Sequence, residues 1–264
     1  MASLGSLRIG SPHASRHLLM LHGIYGWGRN WAAIARRLAA ARPDYACVLL
    51  DLPHHGESGP GAHGDTVRGQ ADDVAAWVEA EGLTIDAVLG HSFGGKVALA
   101  LADRWRDREL RVWIVDSTPG TRDPSGSAWS LLHIVRELPT AFPSREAFVT
   151  TLTNRGWATG IAQWMATNLE RRGETFAWRL DFDVMERLMR DFYATDLWTV
   201  IEPPAPGHTF HFIKASDSAV MSDDAVRRVE AAATGRVVLH HLDGSHWIHA
   251  EKPDEVAALL AQDL

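Results

Sequence analysis

Short runs of consecutive apolar residues alternate along this chain with segments whose apolar positions recur every three or four residues. A run that is hydrophobic throughout suits a strand covered on both faces. Alternation of such runs with helical periods is how a parallel sheet with crossover helices reads in sequence. The pattern predicts strands at HLLMLHG (17–23), ACVLLDL (46–52), IDAVLGH (85–91), LRVWIVDS (110–117), TFHFIKA (209–215) and VVLHHLD (237–243). Between the first two, Trp31, Ile34, Ala35 and Leu38 fall at i, i+3, i+4 and i+7, one face of a helix. Phe93, Val97, Ala100 and Leu101 repeat in the same way. A last helix starts near Pro253 and buries Val256, Leu259 and Leu260, with Asp254 and Glu255 favouring the positive end of its dipole.

One stretch breaks the alternation. From Thr121 to Glu202 the pattern predicts no strand, only helical periods interrupted by DPSGSA, AFPSR and RRGE, before EPPAPG (202–207) punctuates the return to the sheet. Roughly eighty residues are too many for a plain loop in a compact domain. The expected organisation is therefore an α/β core over 1–120 and 203–264, with a helical cap, 121–202, inserted into it. The cap carries Trp129, Trp157, Trp164, Trp178 and Trp198. Most of these are expected to pack inside the cap, with one or two facing a site beneath it.

Composition narrows the function. The chain has 264 residues, 46% hydrophobic and 22% charged, the proportions of an ordinary globular protein. A net charge of −7 argues against a nucleic-acid partner, which favours a basic surface. The single cysteine, Cys47, lies in a predicted strand and reads as a buried thiol. The first residues lack an apolar signal core, and nowhere do 18 apolar residues run together. The expectation is a soluble, cytoplasmic protein without a membrane span. Oligomeric state has no signature in the sequence.

Candidate chemistry centres on Gly90-His91-Ser92-Phe93-Gly94, which fits the nucleophile-elbow pattern G-x-S-x-G. A tight strand-to-helix turn forces its central residue into unusual backbone angles, and the flanking glycines avoid clashes with neighbouring chain. The hydroxyl then projects at the carboxyl end of the sheet. A serine there could also be a plain helix cap, but a predicted strand precedes Ser92 and a helical period follows it, as an elbow demands. A serine hydroxyl needs a base. Of fourteen histidines, His246 lies in DGSHWIHAEKPDEV, a loop between the last strand and the last helix, at the same sheet end as the elbow. His249 reads as structural, and His240 and His241 as strand residues. Two N–H groups must receive the negative charge that develops on the substrate oxygen. They are expected from Phe93 and, in LHGIYGWG after the first strand, from Ile24. His22, His91 and Tyr25 are expected to line the substrate pocket. His22 and the His54-His55 pair lack the spacing of a metal site, so neither metal nor cofactor is implied.

With LHGIYG, DLPHHGES, GHSFGGKVAL and DGSHWIHAEKPDEV, the chain resembles the α/β-hydrolase superfamily from residue 18 to its end. LHGIYGWGRNW, GHSFGGKVA, VDSTPG and NLERRGETFAWRLDFDVM resemble more narrowly a branch of small bacterial and mitochondrial esterases and acyl-thioester hydrolases. One departure is His54, where that branch commonly has asparagine. Two carboxylates could orient the base: Asp116, ending the 110–117 strand, and Asp217, after the 209–215 strand, where the general fold usually has its acid. In the branch resembled, the acid sits at the VD-x-x-P strand end and a serine takes the later position, here Ser218; this favours Asp116 and keeps Asp217 as the alternative. Asp51 reads as a structural loop acid. The resemblance implies hydrolysis of a small-molecule ester or thioester through an acyl-enzyme on Ser92. The alternatives are a carbon–carbon bond hydrolase of the same fold and a ligand-binding protein that keeps the fold without turnover. Epoxide hydrolases and dehalogenases are disfavoured because they use aspartate where this chain has Ser92.

Overall fold

The computed structural model of the chain describes residues 3–232 and 235–264. The core opens with β1 (Ser6–Ile9) and β2 (Arg16–Leu21), then alternates α1 (Ala32–Ala41), β3 (Tyr45–Leu50), α2 (Val67–Ala80), β4 (Ala87–His91), α3 (Phe93–Arg104) and β5 (Leu110–Val115). A long excursion follows: α4 (Ser127–Glu137), β6 (Ala141–Phe142), α5 (Arg145–Asn154), α6 (Thr159–Ala166), β7 (Leu169–Arg172), β8 (Thr175–Trp178) and α7 (Phe182–Ala194). The chain returns through β9 (His208–Ala215), α8 (Asp223–Ala231), β10 (Val237–Leu242), the single turn α9 (Ile248–Glu251) and α10 (Pro253–Asp263).

The main sheet runs β1-β3-β2-β4-β5-β9-β10, parallel throughout except for the edge strand β1. All six predicted strands are in it, with ends within two residues of the expected ones. Side-chain alternation splits its apolar residues between two layers. Leu18, Met20, Leu49 and Trp113 pack on one face against Trp31, Ile34 and Leu38 of the α1 region and Val256 and Leu260 of α10. Leu19, Leu21, Val88 and Ile114 pack on the other against Val74 of α2 and Val97 and Leu101 of α3. The helical faces expected from periodicity are thus the buried ones.

Two features depart from the sequence reading. β1 has no expected counterpart: it is four residues long, mostly exposed and paired on one side only, so it lacks the continuous apolar run that marks the inner strands. The inserted segment is also not wholly helical. β6, β8 and β7 form a small antiparallel sheet, with β7 and β8 joined through Gly173 at φ 62°. The sequence RRGE, expected only to interrupt helices, is the turn of this hairpin. Its strands have two to four residues, too short for a period of two to stand out. Trp178 sits in the corner of this sheet, edge-on to Phe142, Phe148 and Phe182. It packs within the cap, as expected of most of these tryptophans.

Candidate active site

In a parallel sheet the carboxyl ends of all strands open on one edge, where loops from distant parts of the chain meet. Ser92 follows β4, Asp116 follows β5, His246 follows β10 and Ile24 follows β2. Ser92 turns the chain from β4 into α3 with φ 52° and ψ −116°, a left-handed conformation unfavourable for a residue bearing Cβ. Its surroundings hold it there. A Cβ on Gly90 would stand 2.0 Å from the Gly94 carbonyl oxygen, and one on Gly94 would stand 2.4 Å from that of His22. Both glycines are therefore required by close approach of the backbone, and the Ser92 amide donates to the Val115 carbonyl at 3.0 Å.

His246 stands 3.1 Å from the Ser92 Oγ through Nε2 and 2.6 Å from Asp116 Oδ2 through Nδ1. A carboxylate only accepts, so Nδ1 carries the proton and Nε2 presents its lone pair to the serine hydroxyl. Asp116 is wholly buried and itself adopts φ 45°. Its Oδ1 accepts from the Ala215 amide at 3.3 Å, and its Oδ2 also accepts from the Ser218 hydroxyl at 2.5 Å. Asp217, the alternative acid, is not brought to the histidine. Its side chain is exposed and accepts from the neighbouring Ser216 hydroxyl. The reason is strand geometry: Ala215 ends β9 and its amide points at Asp116, so the chain turns outward before Asp217.

The Phe93 amide is the first of α3 and has no intrahelical acceptor. Among the described residues neither it nor the Ile24 amide donates to a protein acceptor. The loop bearing Ile24 is fixed by His22, whose Nε2 accepts from the Leu52 amide at 2.9 Å while Nδ1–H donates to the Gly23 carbonyl at 2.8 Å. A turn from Gly23 to Gly26 closes it, with Tyr25 at φ 61°. The Tyr25 hydroxyl reaches the Ala128 carbonyl at 3.1 Å.

His22, Tyr25 and His91 line the narrow space on the inner side of Ser92, together with Trp157 and Trp164. Both nitrogens of His22 are committed to backbone, and His91 Nε2–H donates to the His246 carbonyl at 2.8 Å, so these two rings position loops beside the serine. His91 lies 4.6 Å from the His246 ring and 4.4 Å from that of His249, which rests on Trp31. Burial pushes His22 and His249 down to about 4 and His55 to about 3, and holds His91 well below the ordinary histidine value. These rings are neutral at pH 7. His249 is thus a buried neutral ring, and the imidazole that reaches the Ser92 hydroxyl is that of His246.

On the Phe93 side lies a cavity of about 320 Å³, walled by Ile24, Ser92, Met189, Phe192 and His246, with Arg122 and Tyr193 also in its lining. Phe93 also walls it, while Tyr25 faces the narrower space. Trp157 and Trp164 are the two cap tryptophans that face the site.

Two other contributors escaped the sequence reading. Ser218 entered it only as a position, yet its hydroxyl bonds to Asp116. Lys96, on α3, is fully buried and donates to the carbonyls of Gly120, Phe192 and Thr195 at 2.8, 2.6 and 2.9 Å, tying the exit of β5 and the end of α7 to the serine-bearing helix. Burial pushes its ammonium down to about 7, opposed by Asp196 and Asp191. A lysine in the otherwise apolar GGKVALALA was the available signal. Asp51 is the structural acid expected, accepting from the Gly28 and Glu57 amides at 2.6 and 2.8 Å. His54 occupies φ 67°, a conformation that asparagine and histidine tolerate better than most residues, and its ring meets Asp65 at 2.9 Å. His211, His240 and Asp263 place possible metal-ligand atoms within 4.8 Å of one another, but none lines the serine cavity, and His211 Nδ1 and His240 Nε2 share a hydrogen bond at 3.2 Å. Among the described residues no helix is long and apolar enough to cross a membrane.

A doubly covered parallel sheet with a serine elbow, and a histidine loop behind the last strand, define the class. The chain belongs to the alpha/beta hydrolase family, whose family model matches residues 18–259. It is similar to the sn-1-specific diacylglycerol lipase ABHD11 of Xenopus laevis, 27% identical over 243 residues that span 89% of this chain and 75% of the relative. It is also similar to the esterase YbfF of Escherichia coli, 25% identical over 254 residues, 93% of this chain and 92% of the other. Among solved structures, a marine microorganism esterase superposes with a TM-score of 0.87 at 22% identity over the full length of both chains, a likeness of fold.

Proposed function

We propose that this protein hydrolyses carboxylic esters, with acyl thioesters within its range, through an acyl-enzyme on Ser92. The observation that carries the proposal is the unbroken relay from the Ser92 hydroxyl through His246 to the buried Asp116. His246 Nε2 takes the hydroxyl proton as Oγ attacks the substrate carbonyl carbon, and the carbonyl electrons move onto oxygen, where the Ile24 and Phe93 amides receive the charge. Collapse of the tetrahedral adduct expels the alcohol or thiol, which takes its proton from the His246 imidazolium. Water then repeats the sequence on the acyl-serine and releases the acid. Asp116 holds the tautomer and stabilises the imidazolium, and Ser218 and the Ala215 amide keep its carboxylate aimed.

Residues 121–202 serve in this reading as a cap that walls the site with Trp157, Trp164, Met189 and Phe192. The names of the relatives, a lipase and an esterase, support ester chemistry. The test is labelling by a fluorophosphonate and turnover of a panel of p-nitrophenyl esters and acyl-CoA thioesters, each beside Ser92→Ala. Labelling and turnover that both vanish in the variant are expected. Labelling that persists in Ser92→Ala, or labelling without turnover of any ester, refutes the proposal.

A further inference from the structure

Ser92 stands between spaces of opposite character. The cavity on its Phe93 side carries polar groups, Arg122, Ser125, Ser127 and Asp217, in its lining. The inner space between Tyr25 and Trp164 has room for about 20 Å³, scarcely more than one water molecule. Beyond it lies a further, mostly apolar chamber of about 390 Å³, walled by Ile161, Trp164 and Trp247, open to solvent at Ala158, Gly160 and Ala250, and with Asn30, His249 and Glu251 as its polar members. Trp164 and Trp247 wall both the inner space and the outer chamber, and their indoles meet edge to face with centroids 4.6 Å apart. An apolar route from Ser92 to the chamber therefore runs between these two rings, one on α6 and the other beside the candidate base.

We propose that the chamber beyond the Trp164–Trp247 pair is a subsite for the hydrocarbon tail of the acyl group, entered from Ser92 when the two indoles part. The inference rests on the ester hydrolysis proposed above and names the substrate class within it: esters of unbranched acids long enough to pass the tryptophans. The carbonyl stays at Ser92, the leaving group faces the polar cavity, and the methylenes lie against Ile161 and the indoles. Each methylene fully removed from water there is worth about fourfold in binding. Acetate gains nothing from the chamber because it ends in the inner space. Aromatic edges suit the opening, since they part by rotation about side-chain bonds without moving the sheet.

The test is a series of p-nitrophenyl esters from acetate to laurate on the wild-type protein, on Gly160→Phe and on Ser92→Ala. Gly160 lines the chamber away from the serine, and a Cβ there meets no atom within 4 Å, so the helix accepts a side chain that fills the space. The wild-type kcat/KM is expected to rise at least tenfold from acetate to the octanoate or longer ester. Gly160→Phe is expected to remove that gain while acetate turnover stays within twofold, which also reports an intact fold. A wild-type profile that peaks at acetate, or a Gly160→Phe profile that keeps the long-chain gain or falls equally at every length, overturns the subsite. If acetate turnover persists in those cases and vanishes in Ser92→Ala, only the subsite fails. If no ester is turned over, the reading of the site fails with it.

Discussion

Replacing His249 with phenylalanine is expected to flatten the acid limb of this protein's stability. The ring is buried between Trp31 and His91, and Nδ1 has no hydrogen-bond partner among the described residues, so an apolar ring of similar shape loses no bond at that atom. In the folded chain burial holds His249 at about 4, against 6.5 ordinarily. The folded value is depressed, so the unfolded chain binds the extra proton as pH falls. Stability is complete above 6.5 and is lost progressively down to about 4. At pH 5 the unfolded chain carries this proton almost always and the folded chain about one time in ten, a difference of about 2 kcal/mol. His22 and His55, depressed for the same reason, add about 2 kcal/mol each. His91 and His211, also held below the ordinary value by burial, act in the same direction. Urea unfolding followed by tryptophan fluorescence at pH 7 and pH 5 measures the loss. The wild-type protein is expected to lose stability between the two, and His249→Phe to lose about 2 kcal/mol less. Equal losses in the two proteins would refute the assignment of His249 as a buried neutral ring.

The two candidate acids separate by substitution: Asp116→Asn is expected to lower kcat by about 10⁴, the magnitude known for a triad acid, while Asp217→Asn stays within a few-fold. The reverse order would overturn the geometry described here. Lys96→Met leaves the buried carbonyls of Gly120, Phe192 and Thr195 without their donor, and is expected to cost roughly 3 kcal/mol. For a chain of this size that is a fall of about 6–12 °C in Tm by calorimetry. An unchanged Tm would mean the ammonium holds nothing.

The sheet was legible because its inner strands are covered on both faces, and continuous runs such as ACVLL admit few other readings. The elbow was legible because Gly90 and Gly94 are demanded by backbone contacts within one short turn, a local constraint that leaves a local mark. His246 could be inferred from its place in the loop between the last strand and the last helix. β1 and the cap hairpin were not legible, since strands of two to four residues with exposed sides carry no period.

What the sequence by itself determined, then, is which loops reach the sheet's open edge and which of them carry a hydroxyl and an imidazole. What only the tertiary structure decided is which acid faces that imidazole, Asp116 or Asp217, and that Lys96 and a row of neutral histidines hold the surroundings in place. The physical reason is range. Periodicity and turn chemistry record contacts within a few residues, whereas the bond from Asp116 to His246 spans 130 positions and depends on how adjacent strands end in space.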